Sequence, residues 1–377
     1  MYIKQLSLEH YRNYDTLNLT FSPSINIFLG QNAQGKTNLL ESIYVLALTN
    51  SHRTNHAHEL VQFGEETARI RGDIVKKTTE LPLEVAIHTK GKMKGKTVKV
   101  NHLLQQRLSQ YFGQMNVVLF SPEDLDLIKG APAHRRHFFD TEIGQMHPKY
   151  LHMMIEYRRF MQQRNAYLKQ DHIDATYLDI LDESLAERGA YLMLERKRFL
   201  AHLEKIAANI HQHLSLGKET MTLQYDSSFP FDTNDEAELK ALFIQQLARK
   251  RDYDILNKKT SVGLQREDFT VFINQLKTQQ YGSQGQQRLA VLSLKLAEVQ
   301  LFYEQSGEYP ILLLDDVMSE LDNHRQMKLM ETIEGKVQTF ITTTTLSHLQ
   351  NQMSVTPTIF RVQQGQIEEI IDENETK

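Results

Sequence analysis

Gly30-Gln31-Asn32-Ala33-Gln34-Gly35-Lys36-Thr37 is the stretch on which the reading of the fold turns. It follows the apolar run Ile25-Asn26-Ile27-Phe28-Leu29 and opens into Asn38-Leu39-Leu40-Glu41-Ser42-Ile43, whose apolar spacing is helical. Strand, glycine loop and helix in that order make a phosphate-binding loop of the Walker A type. Its glycines let backbone N–H groups turn inward around phosphate oxygens, and the helix N-terminus adds partial positive charge. Gly30 to Asn38 are therefore expected to hold ATP, with Lys36 reaching the β- and γ-phosphates and Thr37 ligating Mg²⁺.

Near the other end, Ile311-Leu312-Leu313-Leu314-Asp315-Asp316 reads as a buried strand ending in two acids. This is the Walker B pattern, in which Asp315 is expected to hold Mg²⁺ and Asp316 to orient or deprotonate water. Just upstream, Tyr281-Gly282-Ser283-Gln284-Gly285-Gln286-Gln287-Arg288 leads into an amphipathic helix through Leu289, Leu292, Leu296, Val299 and Leu301. Ser283, Gln284, Gly285 and Gln286 at that helix start form a second anion-binding device. Since Lys36 and Thr37 already cover the phosphates of their own chain, this loop is expected to close a partner's site in a head-to-tail dimer. The halves of one ATP site thus lie at opposite ends of the chain, and the fold must bring those ends together.

Taken in order, these motifs resemble the SMC-type ATP-binding-cassette ATPases, and within them the RecF family of bacterial recombination mediators. The likeness covers essentially the whole chain and continues through Ser51-His52-Arg53-Thr54, Phe120 to Leu125, Lys129 to Pro132, Arg135 to Asp140 and Leu312 to Asp322. It implies an α/β fold: an ABC-type, SMC-like ATPase head made of N- and C-terminal halves, with an inserted, mostly helical arm. The expected boundaries are 1–125 for the Walker A half, 126–259 for the arm and 260–377 for the half carrying signature, Walker B and D-loop. The same likeness implies an ATP-dependent homodimer acting as a weak, DNA-stimulated ATPase switch. Its DNA would be duplex, gapped or a single-strand junction, and its partners RecO and RecR in loading RecA. Asp322 matches the D-loop aspartate used across the dimer interface, although Asp before a helical run is also a favoured N-cap.

Three departures from the family pattern stand out. Gly263-Leu264-Gln265-Arg266-Glu267-Asp268 replaces a commoner Gly-Pro-His-Arg-Asp-Asp, so any carried-over role is limited to Arg266 and Asp268. No glutamine lies where a cassette ATPase places its Mg²⁺-contacting Q-loop residue, which leaves Glu123 or Asp124 to substitute. Asp316 stands where Glu is usual, and a shorter base suits slow hydrolysis. Two readings from other classes are a structural DNA-clamping ATPase of the SMC kind and a transporter-associated cassette subunit. The long arm and a lysine-rich hairpin count against the second.

Composition bounds these readings. The chain has 377 residues, a formal net charge of −4 and no cysteine, so it has core-forming length and neither disulfides nor a thiolate metal site. Met1 to Leu8 alternates like a strand rather than a signal peptide, and no apolar run approaches membrane-spanning length, so a cytoplasmic protein without membrane contact is expected. Net charge lends no support to nucleic-acid binding, so any DNA surface must be local. Lys90, Lys92, Lys94, Lys96 and Lys99 fall between Val85 and Tyr111 without an acid, with Gly91 and Gly95 marking a hairpin tip. That is either an edge tracking DNA phosphates or a solvated sheet edge. Arg53 is either a DNA or nucleotide sensor or a surface arginine. Arg135 and Arg136 read as ion pairs with Asp140 that support the arm, and His211 and His213 as solvent-facing.

Overall fold

The computed structural model describes residues 1–91, 94–346 and 355–371. The chain divides into two compact units, residues 1–124 with 298–377 and residues 125–297.

The first unit is built on two sheets. One runs in the order Tyr14–Thr20, Tyr2–Tyr11, Thr67–Val75, Glu80–His88, Gly95–Val100, Leu103–Leu104, antiparallel throughout. Its strands alternate buried and exposed residues, as a sheet with one wet face requires. The other runs Gln366–Ile371, Thr358–Gln363, Ile25–Leu29, Thr339–Thr343, Ile311–Asp315, Val117–Phe120. All its pairings are parallel except that of the first two strands, which form a hairpin. Ile311–Asp315 and Thr339–Thr343 are buried at every residue, which explains their unbroken apolar or threonine character. The helix Lys36–Leu48 packs against both sheets, and Leu39, Leu40, Ile43 and Leu46 share one core with Ile3, Ile70, Phe28 and Phe340.

Parallel register places the C-terminal ends of three strands side by side: Leu29 opposite Thr343, and Thr342 opposite Asp315. This is where a parallel sheet binds ligands. The chain ends meet through one buried amide. Gln338 accepts from the Ile3 N–H at 2.8 Å and donates to the carbonyls of Ile3 and Ser22 at 2.8 Å each.

The second unit carries the helices Pro132–Met146, Pro148–Tyr167 and Ala175–Leu214, the last 40 residues long and capped by Asp174. A three-stranded sheet, Leu276–Lys277, Asp268–Ile273, Met221–Asp226, packs with them around Phe138, Phe139, Phe199 and Phe269. Residues 260–297, expected within the C-terminal ATPase half, belong to this unit, because Asp268–Ile273 pairs with Met221–Asp226. Asp140 is not the partner of Arg135 or Arg136. Arg135 forks onto Asp268 at 2.6 and 2.9 Å, while Asp140 takes Arg158 and Arg196 at 2.7 Å each. His211 is also not solvent-facing; it is fully buried, whereas His213 is exposed. Among the described residues no helix is long and apolar enough to cross a membrane.

Candidate nucleotide site

The glycine loop is shaped by what crowds it. Ala33 and Gly35 adopt left-handed backbone, with φ of 64° and 117°. A Cβ on Gly35 would meet Asn13 Nδ2 at 2.7 Å and the Tyr14 hydroxyl at 2.9 Å; one on Gly30 would meet the Val362 carbonyl oxygen at 2.4 Å. Only glycine fits either place. Tyr14 donates its hydroxyl to the Gly35 carbonyl at 3.0 Å. The C-terminal hairpin holds the other side, with Gln364 N–H donating to Gln34 Oε1 at 2.8 Å and Gly365 N–H to the Gln34 carbonyl at 2.9 Å.

Lys36 folds back over this loop, donating to the carbonyls of Gly30 at 2.6 Å and Gln31 at 2.9 Å. Burial pushes its ammonium below the ordinary value, against the opposing pull of Asp316 and Asp315. A desolvated cation resting on loop carbonyls is one that an incoming phosphate can recruit. Thr37 donates its hydroxyl to Asp315 Oδ1 at 3.0 Å, and Thr342 donates to the same oxygen at 2.7 Å. Thr342 Oγ1 in turn accepts from the Asp316 N–H at 2.8 Å, which fixes the turn where Asp316 takes φ 54° and becomes exposed. A hydroxyl beside a carboxylate is a hard oxygen pair suited to Mg²⁺, so the donor set fits the metal and the loop fits a polyphosphate.

Behind the loop, Glu41 is fully buried on the apolar helix and accepts from Arg12 Nε at 2.9 Å, Arg12 Nη2 at 2.8 Å, Tyr11 Oη at 3.1 Å and Ser51 Oγ at 2.5 Å. Burial raises its carboxyl, but these bonds and the charges of Arg12 and Arg53 overcome that, and the net shift is downward. Arg53 donates to Asn38 Oδ1 at 2.8 Å, and Asn38 donates to Asn13 Oδ1 at 2.7 Å. Arg12, Asn13, Tyr14 and Glu41 stand in no motif that assigns them a role from sequence. The available signal was a lone acid, Glu41, on an otherwise apolar helical face, which demands a buried partner. His52 lies edge-on to Tyr44, and burial lowers its pKa, opposed by Glu41, Asp315 and Glu123.

Other expected residues are placed as follows. Asp124 accepts from the Ser121 N–H at 2.7 Å, so its carboxylate serves the turn, whereas exposed Glu123 lies within electrostatic reach of His52. Asp322 caps its helix, accepting from Arg325 N–H at 2.9 Å. Ser283 is exposed at the start of the helix Gln284–Ser306, in the second unit, where its hydroxyl accepts from Gln286 N–H at 3.2 Å. The lysine hairpin is less unbalanced than its local sequence: Lys90 pairs with Glu66 at 3.1 Å, Lys99 with Glu84 at 2.9 Å, and Lys96 donates to Asn50 at 2.5 Å. Lys94 is exposed, and Lys92 lies outside the described residues. Gln265 donates to the Val262 carbonyl at 2.7 Å and Glu267, fully buried, holds Arg196 at 2.7 Å, so both departures are built into the second unit's own packing. A cavity of about 390 Å³ there is lined by Arg136, Arg158 and Arg196; Arg158 pairs with Asp140, Arg196 with Asp140 and Glu267, and Arg136 donates to the Glu267 carbonyl at 3.0 Å.

Comparison with known proteins finds likeness along nearly the whole chain. The model of the RecF/RecN/SMC N-terminal domain family matches residues 2–368. The DNA replication and repair protein RecF of Enterococcus faecalis is 52% identical over 98% of this chain and 99% of its own length. A solved structure of the recombination mediator protein RecF-ATP in the RecFOR pathway superposes with a TM-score of 0.90 at 33% identity, covering 98% of this chain and 97% of its own. An Smc head bound to the C-terminal winged-helix domain of ScpA shares the fold alone, with a TM-score of 0.56 at 14% identity over 98% of this chain and 97% of its own. The fold is therefore an ABC-type, SMC-like ATPase head, and the chain belongs to the RecF family.

Proposed function

We propose that this protein is an ATP-dependent DNA-binding protein of replication and recombinational repair, acting in the cytoplasm as a weak, DNA-stimulated ATPase switch. ATP and Mg²⁺ are its cofactors: the loop Gly30–Asn38 holds the phosphates, and Thr37 and Asp315 hold the metal. Bound Mg²⁺ would neutralise charge developing on the β- and γ-phosphates. Asp316 orients the attacking water, Glu123 stands in for the Q-loop glutamine, and Asp322 acts across the interface. Ser283, Gln284, Gly285 and Gln286 close the partner's site, so that two ATP molecules hold a homodimer on duplex or gapped DNA, from which RecO and RecR help load RecA.

The observation that carries this reading is the convergence of Thr37 and Thr342 on Asp315, which joins residues from the two ends of the chain in one hydroxyl–carboxylate site. Its partner is the exposed Ser283 hydroxyl, whose one bond stays within its own helix start. Lys36→Ala tests it. The variant loses the cation that draws the γ-phosphate into the loop, so ATP-dependent dimers should vanish in analytical ultracentrifugation while the fold survives. Undiminished ATP-induced dimers would remove Lys36 from the role.

A further inference from the structure

Two side chains behind the signature loop have no place in the reaction so far. Gln286 makes a reciprocal cap with Ser283: its N–H donates to Ser283 Oγ at 3.2 Å and its Oε1 accepts from the Ser283 N–H at 2.9 Å. That leaves the amide nitrogen of Gln286, which donates to Glu219 Oε1 at 2.8 Å. The second carboxylate oxygen of Glu219 meets Nε2 of buried His211 at 3.1 Å. The ring is oriented from its far side. Ser293 Oγ lies 3.1 Å from His211 Nδ1 and 2.7 Å from the Leu289 carbonyl.

Glu219 is itself held. The helix Ala175–Leu214 ends in a left-handed turn through Leu216 and Gly217, with φ of 56° and 74°, and Glu219 N–H donates to Ser215 Oγ at 3.3 Å. His211 sits in the last turn of that 40-residue helix. An unbroken hydrogen-bonded chain thus runs from the long helix through His211 and Glu219 to Gln286 and the exposed Ser283. A helix cap alone leaves a surface loop free to sample other rotamers; a carboxylate bond to the capping amide is charge-assisted and stronger.

We propose that Glu219 and His211 are positioning residues that lock the signature loop to the end of the arm's long helix, so that the loop is pre-set for closing the partner's nucleotide site and any displacement of that helix reaches it. This rests on the reading of Ser283 to Gln286 as the closing loop.

The test compares Glu219→Ala, Gln286→Glu and the exchange Glu219→Gln with Gln286→Glu against wild type and Ser283→Arg. Readouts are the protein concentration for half-maximal ATP-dependent dimer in ultracentrifugation and binding of a fluorescent ATP analogue to the monomer. Glu219→Ala should raise the half-dimer concentration about tenfold with nucleotide affinity within about twofold of wild type. Gln286→Glu keeps the cap acceptor but sets two carboxylates against each other, and should do the same. The exchange restores one amide against one carboxylate and should recover to within about threefold; it carries the test if Glu219→Ala does not fold. Wild-type closure by Gln286→Glu, or an exchange that recovers nothing, overturns the relay while Ser283→Arg stays defective. Normal closure by Ser283→Arg overturns the trans loop itself, and the relay with it.

Discussion

Arg12→Met should destabilise the first unit far more than loss of one half-buried surface charge would. Glu41 is 0% exposed and accepts four hydrogen bonds, two of them from the Arg12 guanidinium. Methionine keeps much of the aliphatic stem but removes both charge-assisted bonds and the nearer counter-charge, leaving Tyr11, Ser51 and the more distant Arg53 to stabilise a fully buried carboxylate. Breaking a buried pair in this way costs about 3–5 kcal/mol. For a unit of about 200 residues that corresponds to a transition midpoint roughly 6–20 °C lower. The pH dependence has a definite sign. In the wild type the Glu41 carboxyl is held below its ordinary value, so its contribution is present above the unfolded pKa and lost as pH falls through the folded one. In Arg12→Met burial prevails and the folded pKa rises, so the cost is full at neutral pH and shrinks as the carboxyl protonates. The gap between the two proteins should therefore narrow in calorimetry as pH falls from neutrality towards the ordinary carboxyl range. Adding Glu41→Gln to Arg12→Met should recover stability at neutral pH, since the amide is neutral and still accepts from Tyr11 and Ser51. A double variant no more stable than Arg12→Met, or a gap independent of pH, would refute the buried-charge argument.

Asp316→Asn should bind ATP and persist as a dimer, because it keeps a polar ligand and loses the base; hydrolysis at the wild-type rate in a phosphate-release assay would place the catalytic acid elsewhere. Lys92→Glu with Lys94→Glu should weaken duplex binding equally across sequences and flatten its salt dependence, since Lys90, Lys96 and Lys99 are engaged by Glu66, Asn50 and Glu84. Unchanged affinity at two salt concentrations would make the hairpin a solvated edge.

Much of the fold was legible because its deciding elements are contiguous. Ile25–Leu29, apolar but for Asn26, and Ile311–Asp315 announce themselves as short apolar runs ending at a glycine loop and at an acid. Long-range pairing carries no such local mark. Asp268–Ile273 looks like any strand before the signature helix, and only its register with Met221–Asp226 assigns residues 260–297 to the second unit. The charge balance of the lysine hairpin is hidden from the sequence for the same reason. Lys99 lies directly opposite Glu84 on the neighbouring strand, so a charge run unbalanced along the chain is partly balanced across the sheet. The hairpin Thr358–Gln363 and Gln366–Ile371 did carry a readable signal, a Gln364-Gly365 turn with φ of 50° and 77°.

At the site, the residues proposed to touch a nucleotide form motifs, while those that hold the loop in shape are scattered. Physical chemistry narrows the second group without resolving it. A carboxylate among Leu39, Leu40 and Ile43 must find a cation, and Arg12 and Arg53 were both within reach along the chain. Geometry divides them: Arg12 grips Glu41 with two nitrogens, whereas Arg53 stays 3.9 Å from it and gives its hydrogen bond to Asn38 at the loop. Arg12 is therefore the principal partner of Glu41, and Arg53, whose side chain is 40% exposed, the secondary one. We propose that this half-exposed arginine beside the phosphate loop, 3.9 Å from a carboxylate that Arg12 already grips with two nitrogens, responds to nucleotide or DNA, and that division of labour with Arg12 is the argument for it over an ordinary surface charge.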